Sequence, residues 1–361
     1  MASAKSMDHG GGAPSIMPKR PTSADVAAAA GVSRTTVSFV LNDRAGVTIP
    51  ESTRRRVIDA ATRLGYYPSS VARQLAGGAS RALGLVLRQT PEQAANDAVL
   101  AETMRGLARA ARAANHRVLL ETLAPGEGHY ADLLRSGRTD GIIVSGPRFD
   151  DEELVELVRE GFPVVIQGAS PGLDVPSVDV DNFAGARFAV EHLLALGHRR
   201  IACITNAPLA YTASSERLAG YREVLAAAGI AEEPELIAEG AFDAQSGHRA
   251  MADILRRTTP DAVFVASDVV AFGAFAGLRD AGLSVPRDVS VVGFDAIPLS
   301  AYIDPPLTTI RLPAFDLGLA AGRAILQRIA GRLDADRTLL PTVLIVRAST
   351  APRHGAVRRP A

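Results

Sequence analysis

The sequence holds no tryptophan, a single cysteine and no apolar run approaching the roughly 18 residues that read as a membrane span. Cys203 alone cannot close an internal disulfide, which fits a reducing compartment. The first twenty residues are small and polar, with no apolar h-region. The expectation is a cytoplasmic, non-membrane protein with no secretory signal and a disordered extension over 1–20. Catalytic signatures are missing too. There is no HExxH, no GxSxG, no GxxxxGK[ST] and no cysteine pair for a metal. The GGG at 10–12 precedes neither a Lys-Ser pair nor a strand, so it is no phosphate loop. The seven histidines are scattered, and His192 and His198 read as packing or capping residues in a helix and its exit. These absences point away from an enzyme, a metal site or a cofactor.

What is present is a long chain that is 47% hydrophobic and 22% charged, the balance of a folded protein. Its 361 residues exceed the size of one core, so two or more domains are expected. The formal charge of zero conceals an asymmetry. Residues 1–78 carry ten Lys/Arg against five Asp/Glu, and the remainder 29 against 34. A small basic head on an acidic body suggests that only the head meets a polyanion.

The head reads as three helices. Thr22 with Asp25 three residues on resembles a capping box, opening a helix through ADVAAAA that Gly31 closes. Ser33 caps a second helix, RTTVSFVLN, in which Val37, Val40 and Leu41 share an inward face. Arg34, Thr35 and Ser38 point the other way from the end that recognition helices insert into the major groove. Arg34 can donate two bonds to a guanine edge, and Thr35 can bond or offer a methyl to thymine. A third helix near 51–64 closes the core with Val57, Ala61 and Leu64 and offers Arg54, Arg55 and Arg56 to phosphates. Residues 69–76 form a further helix bounded by Pro68 and by Gly77 and Gly78, too short to be stable unsupported.

The pair TSADVAAAAGVSRTTVSFVLN and YYPSSVARQLAGG resembles the head and hinge of the lactose-repressor (LacI/GalR) family. The resemblance implies a helix-turn-helix domain at 21–67 and a hinge helix at 68–78. The implied DNA-binding set is Thr22, Ser33, Arg34, Thr35, Thr36, Ser38 and Asn42, with Ala72, Arg73 and Leu75 in the hinge. Leu75 matches a leucine that wedges a base step open in the minor groove. Phe39 departs from the lactose repressor, which has a base-reading arginine there, and the loop from Asn42 to Thr53 is slightly longer.

In the body, apolar runs near 83, 117, 141, 163, 200, 261 and 290 alternate with amphipathic helices, the clearest at 182–197. Such alternation means parallel sheets covered on both faces, here enough for two α/β lobes. Ligands bind such folds at strand carboxyl ends. VDNFAGARFAVEHLLALGHRRIA, SSERLAGYREVL, VFVASDVVAFGAF and VSVVGFDAIPLSAYIDPPLTTI carry the family resemblance through the body. It implies a type I periplasmic-binding-protein-like core over 81–350, with lobe 1 at about 81–180 and 312–341 and lobe 2 at about 181–311 and 342–350, followed by a tail at 351–361. Gln167, Ser267, Asp268 and Asp295 end strands, and Arg217 opens RLAGY. By resemblance Asp295 and Arg217 bind effector while Tyr211 and Phe242 flank it. Asp268 also suits a helix N-cap.

The expected function is a repressor whose operator affinity is controlled by a small-molecule effector between the lobes, carbohydrate being the leading class. Where relatives often carry Asn-Pro-Phe-Phe, this chain reads DAVL at 97–100, which weakens the sugar assignment. The expected partners are double-stranded DNA with a pseudo-palindromic operator and a second copy of the chain. A homodimer is favoured over a tetramer because no leucine heptad follows residue 350. A solute-binding protein would share the body but predicts an export signal and no head, the reverse of what is seen. A regulator that answers to a partner protein instead of an effector remains the other alternative.

Overall fold

Thr22 starts the first helix, α1 (Ser23–Ala30), through a reciprocal cap. Its hydroxyl accepts the Asp25 N–H at 3.3 Å, and the Asp25 carboxylate accepts the Thr22 N–H at 2.7 Å. Gly31 ends it at φ 64°, a left-handed turn that a glycine adopts without a Cβ penalty. The Ser33 hydroxyl accepts the Thr36 N–H at 3.1 Å and so starts α2 (Arg34–Leu41). With α3 (Glu51–Leu64), these helices bury Val26, Ala27, Ala30, Val37, Val40, Val57, Ala60 and Ala61 in one cluster.

This is a computed structural model that describes residues 21–41, 47–66, 79–124, 126, 129–332 and 336–353. The extension at 1–20, Asn42, and the hinge helix at 68–78 with Ala72, Arg73 and Leu75 lie outside the described residues. The chain divides into two compact units, Met1–Ala79 and Ser80–Ala361.

The second unit is built on two six-stranded sheets. The first contains β1 (Ala82–Leu87), β2 (Arg117–Thr122), β3 (Gly141–Ser145), β4 (Val164–Gln167), β5 (Ser177–Val180) and β11 (Arg337–Leu340) in the order β11-β5-β4-β3-β1-β2, all parallel. The second contains β6 (Ile201–Ile204), β7 (Ile237–Ala238), β8 (Ala262–Val265), β9 (Ser290–Asp295), β10 (Thr308–Arg311) and β12 (Val343–Ile345) in the order β12-β10-β9-β8-β6-β7. Only β12 runs antiparallel, against β10. The chain therefore passes between sheets three times, after Val180, after Arg311 and after Leu340.

The covering helices are α4 (Pro91–Asn96), α5 (Leu100–Ala113), α6 (Tyr130–Arg135), α7 (Glu152–Arg159), α8 (Asn182–Ala195), α9 (Thr212–Ala227), α10 (Ala244–Arg257), α11 (Asp268–Asp280) and α12 (Ala314–Ile329). The central strands are buried along nearly their whole length, as expected for sheets covered on both faces. The helices pack in glycine-mediated pairs, of which α5 against α12 is the most extensive contact between any two elements. A Cβ on Gly318 would lie 2.0 Å from the Thr103 carbonyl oxygen, and one on Gly273 would lie 1.7 Å from that of Ala244, between α11 and α10. Neither backbone oxygen can yield without the helices moving apart. Gly273→Ala is therefore expected to lower stability by at least about 1–3 kcal/mol, read as a reduced urea midpoint at unchanged slope.

Candidate functional site

In the head, the second helix presents Arg34, Thr35 and Ser38 to solvent while Val37 and Val40 face the core. Thr22, Ser33 and Thr36 take local roles: Thr22 caps α1, and the Ser33 and Thr36 hydroxyls share a hydrogen bond at 2.9 Å beside the α2 cap. Arg55 and Arg56 are exposed on α3 and Arg54 is half-buried. A capped helix showing an arginine and a hydroxyl at its N-terminus and a second hydroxyl one turn on suits reading base edges in a groove.

In the body, a cavity of about 150 Å³ lies between the two sheets' lobes. The first lobe contributes Gln89, Asp97, Ser145, Gln167 and Asp179; the second contributes Asn182, Asn206, Thr212, Arg217, Phe242, Ser267 and Asp295. Of the effector residues expected from the sequence, Gln167, Arg217, Phe242, Ser267 and Asp295 line it.

Arg217 is 5% exposed and held from three sides. Its Nε donates to the Asn182 side-chain oxygen at 2.9 Å, its Nη1 donates to the Ala266 carbonyl at 2.6 Å, and its guanidinium carbon lies 3.7 Å from the centre of the Phe294 ring. Asp295 forms an ion pair with Nη1 at 3.8 Å. Burial pushes the Asp295 carboxyl upward, the Arg217 charge opposes that shift, and the nearby Asp268 and Asp97 carboxyls add to it.

Asp295 stands on strained backbone. It has φ 113°, Ala296 after it has φ 55°, and Phe242 across the cavity has φ 68°. Non-glycine residues in such conformations cost of order 1–3 kcal/mol each and persist only where their surroundings hold them. Asp268 does the holding, and here the structure corrects the sequence reading. Asp268 is fully buried, does not line the cavity and makes no side-chain cap. Its carboxylate accepts the Thr309 hydroxyl at 2.6 Å and the Ile297 N–H at 3.0 Å, so it fixes the turn that presents Asp295. Tyr211 also stands behind the cavity rather than in it. Its ring meets Phe242 edge-on, with centroids 5.0 Å apart, and its hydroxyl donates to the Arg88 carbonyl of the first lobe. Beside it, Phe149 N–H on Ala210 O at 3.0 Å and Thr212 N–H on Pro147 O at 3.2 Å join the lobes.

Sequence reasoning missed Asn182 and Asp179, which join the lobes at the first crossing. The Asn182 amide nitrogen donates to both Asp179 oxygens, at 3.3 and 3.2 Å, and to Glu216 at 3.2 Å, while its oxygen receives Arg217. Burial and then the Glu216 charge push the Asp179 carboxyl up to about 7 from an ordinary 3.8. Between those values the folded chain keeps a proton that the unfolded chain has released. Asp179 thus lowers stability as pH rises through that window, and no further above it. Urea midpoints at about pH 5 and about pH 8 should differ less in Asp179→Asn than in the parent; an unchanged difference would remove Asp179 as a source of the dependence.

A capped three-helix head with an exposed polar helix end, in one chain with a two-sheet body that has a polar cavity between its lobes, is the make-up of a DNA-binding regulator with a candidate ligand site. Residues 22–69 match the model for bacterial regulatory proteins of the lacI family, and residues 190–350 match a periplasmic binding protein-like domain. The HTH-type transcriptional repressor CytR of Escherichia coli is 35% identical over 91% of this chain and 96% of its own length. The solved complex of the transcriptional regulator CelR with cellobiose is 35% identical, covers 91% of this chain and all of that one, and superposes with a TM-score of 0.71. A lac repressor dimer bound to operator and the anti-inducer ONPF is 31% identical, covers 92% of this chain and all of that one, and reaches 0.80. The chain belongs to the LacI family of transcriptional regulators. CytR and the CelR relative are both transcriptional regulators, and no helix among the described residues is long and apolar enough to cross a membrane.

Proposed function

We propose that this chain is a cytoplasmic, non-catalytic repressor that binds a pseudo-palindromic operator as a homodimer and changes its operator affinity when a small hydroxyl-rich effector, a sugar or sugar derivative, enters the cavity between the lobes. One observation carries the reading. Asp295 at the end of β9 and Arg217 on α9 meet at 3.8 Å in a cavity whose polar walls also carry amides, hydroxyls and the carboxyls of Asp97 and Asp179. A carboxylate and a guanidinium facing one space can each engage paired donors or acceptors, which suits a polyol. The CelR relative was solved with cellobiose, and the lac repressor as an operator-bound dimer, which supports the same partners here. One head reads one half-site, so two-fold symmetry doubles the contact.

Coupling arises if the effector prefers one arrangement of the lobes, and it is reciprocal: an effector that weakens operator binding is itself bound less tightly by the operator complex. The test is a thermal-shift screen of sugars and nucleosides on the full chain and on Asp295→Ala. A hit lost in the variant supports the cavity as the effector site. Hits that stabilise both proteins equally, with regulation intact in the variant, would favour control by a partner protein.

A further inference from the structure

We propose that the interlobe cavity excludes anions: it takes an uncharged or amine-bearing polyhydroxyl ligand of about one sugar ring and rejects the phosphorylated form of the same ligand. This rests on the cavity being the effector site.

The charge of the lining is one-sided. Among the described residues Arg217 is its single base, against the carboxyl groups of Asp97, Asp179 and Asp295. The body has no lysine to add, because the chain's two lysines are Lys5 and Lys19. Arg217 is also already engaged by Asn182, the Ala266 carbonyl and Asp295, so an anion approaching it meets the Asp295 carboxylate beside it. Bringing like charges together in a partly desolvated site costs several kcal/mol. Burial raises all three carboxyls above their ordinary range, so their repulsion of an anion strengthens as the pH rises and they lose their protons.

The lining also asks for donors. Gln89 and Gln167 each carry a buried side-chain oxygen with no hydrogen-bond partner among the described residues. Leaving such an acceptor unpaired costs about 1–3 kcal/mol, which a ligand hydroxyl or amine can offset. In Asp97, one oxygen accepts the Val99 and Leu100 N–H groups, while among the described residues the other is reached by the Gln89 amide alone, at a long 3.5 Å.

Acceptors are needed too, since α9 and α11 begin at Tyr211 and Ser267 with no side-chain cap, and Thr212 and Ser267 line the cavity. Helix N-termini alone favour anions by about 0.3–1 kcal/mol each. That is less than the repulsion from the carboxylates, and Asp268 in the first turn of α11 further reduces it. A neutral hydroxyl, which both donates and accepts, can satisfy each of these polar groups. At about 150 Å³ the space falls below that of drug-sized sites and matches a ligand of about one ring.

The experiment is isothermal titration of the full chain with matched compounds: ribose against ribose phosphate, glucose and glucosamine against glucose phosphate, and uridine against uridine monophosphate. The expected result is binding by an uncharged or aminated member, with its phosphate ester at least about a hundredfold weaker, and a narrower gap in Asp97→Asn. A phosphate ester that binds as tightly as its parent, or a panel in which no uncharged or aminated member binds, overturns the proposal. If that ester's binding is lost in Arg217→Met, the effector-site reading survives the failure. If instead a neutral ligand binds the parent and Asp295→Ala equally, the effector-site reading fails as well.

Discussion

Arg217→Met is expected to abolish the effector response while leaving operator binding by the free protein in place, and to lower stability by about 3–5 kcal/mol. Both effects come from the same atoms. The guanidinium is buried and bridges Asn182, the Ala266 carbonyl and Asp295, so its removal leaves an acidic group and two acceptors without their donor. Most of the lost stability reflects those orphaned partners rather than the intrinsic worth of the ion pair. Arg217→Lys retains the charge but not the planar fork that spans Asn182 and Ala266, so it should recover some stability and little of the response. The stability is read by urea denaturation and the response by operator anisotropy titrated with effector. A methionine variant that still responds at parental effector concentrations would exclude Arg217 from the effector site.

The second large effect belongs to the head. Arg34→Ala should cost about 1–3 kcal/mol at one base position of each half-site and relax preference there, leaving other positions unchanged. Arg34 is exposed at the start of α2, beyond the Ser33 cap, and its side chain takes no part in the core of Val37 and Val40. Folding of the head should therefore be intact. Selection from random duplexes separates the outcomes: a uniform loss of affinity with unchanged base preference would make Arg34 a phosphate contact.

Much of the architecture was legible because burial leaves apolar runs. The strands at 82, 141, 164, 201, 262 and 290 announce themselves in this way, and the partly exposed edge strand at 117 by its apolar VLL. Ser177–Val180, Thr308–Arg311 and Arg337–Leu340 do not, since their sequences SVDV, TTIR and RTLL mix polar residues with few apolar ones. The cavity was legible at strand ends, which gave Gln167, Ser267 and Asp295. It was not legible where a polar residue opens a helix read for its apolar face, as with Asn182, nor where a segment was noted for the aromatics it lacks, as with Asp97. Asp268 shows the limit of that approach: a carboxylate after a strand serves a neighbouring turn as readily as a ligand, and only the positions of Thr309 and Ile297 distinguish the two.

The three crossings have a consequence for biosynthesis. Helix α12 and strand β11 belong to the first sheet's lobe, yet they are translated after almost all of the second sheet. Until then α5 lacks its partner, and the apolar surface around Leu107 and Ala111 that α12 covers is open. Domains that are contiguous in sequence can fold in the order in which they emerge from the ribosome. Here the lobe begun first is completed last, so a nascent chain stalled before residue 314 should hold a finished head, a nearly finished second lobe and an aggregation-prone first lobe.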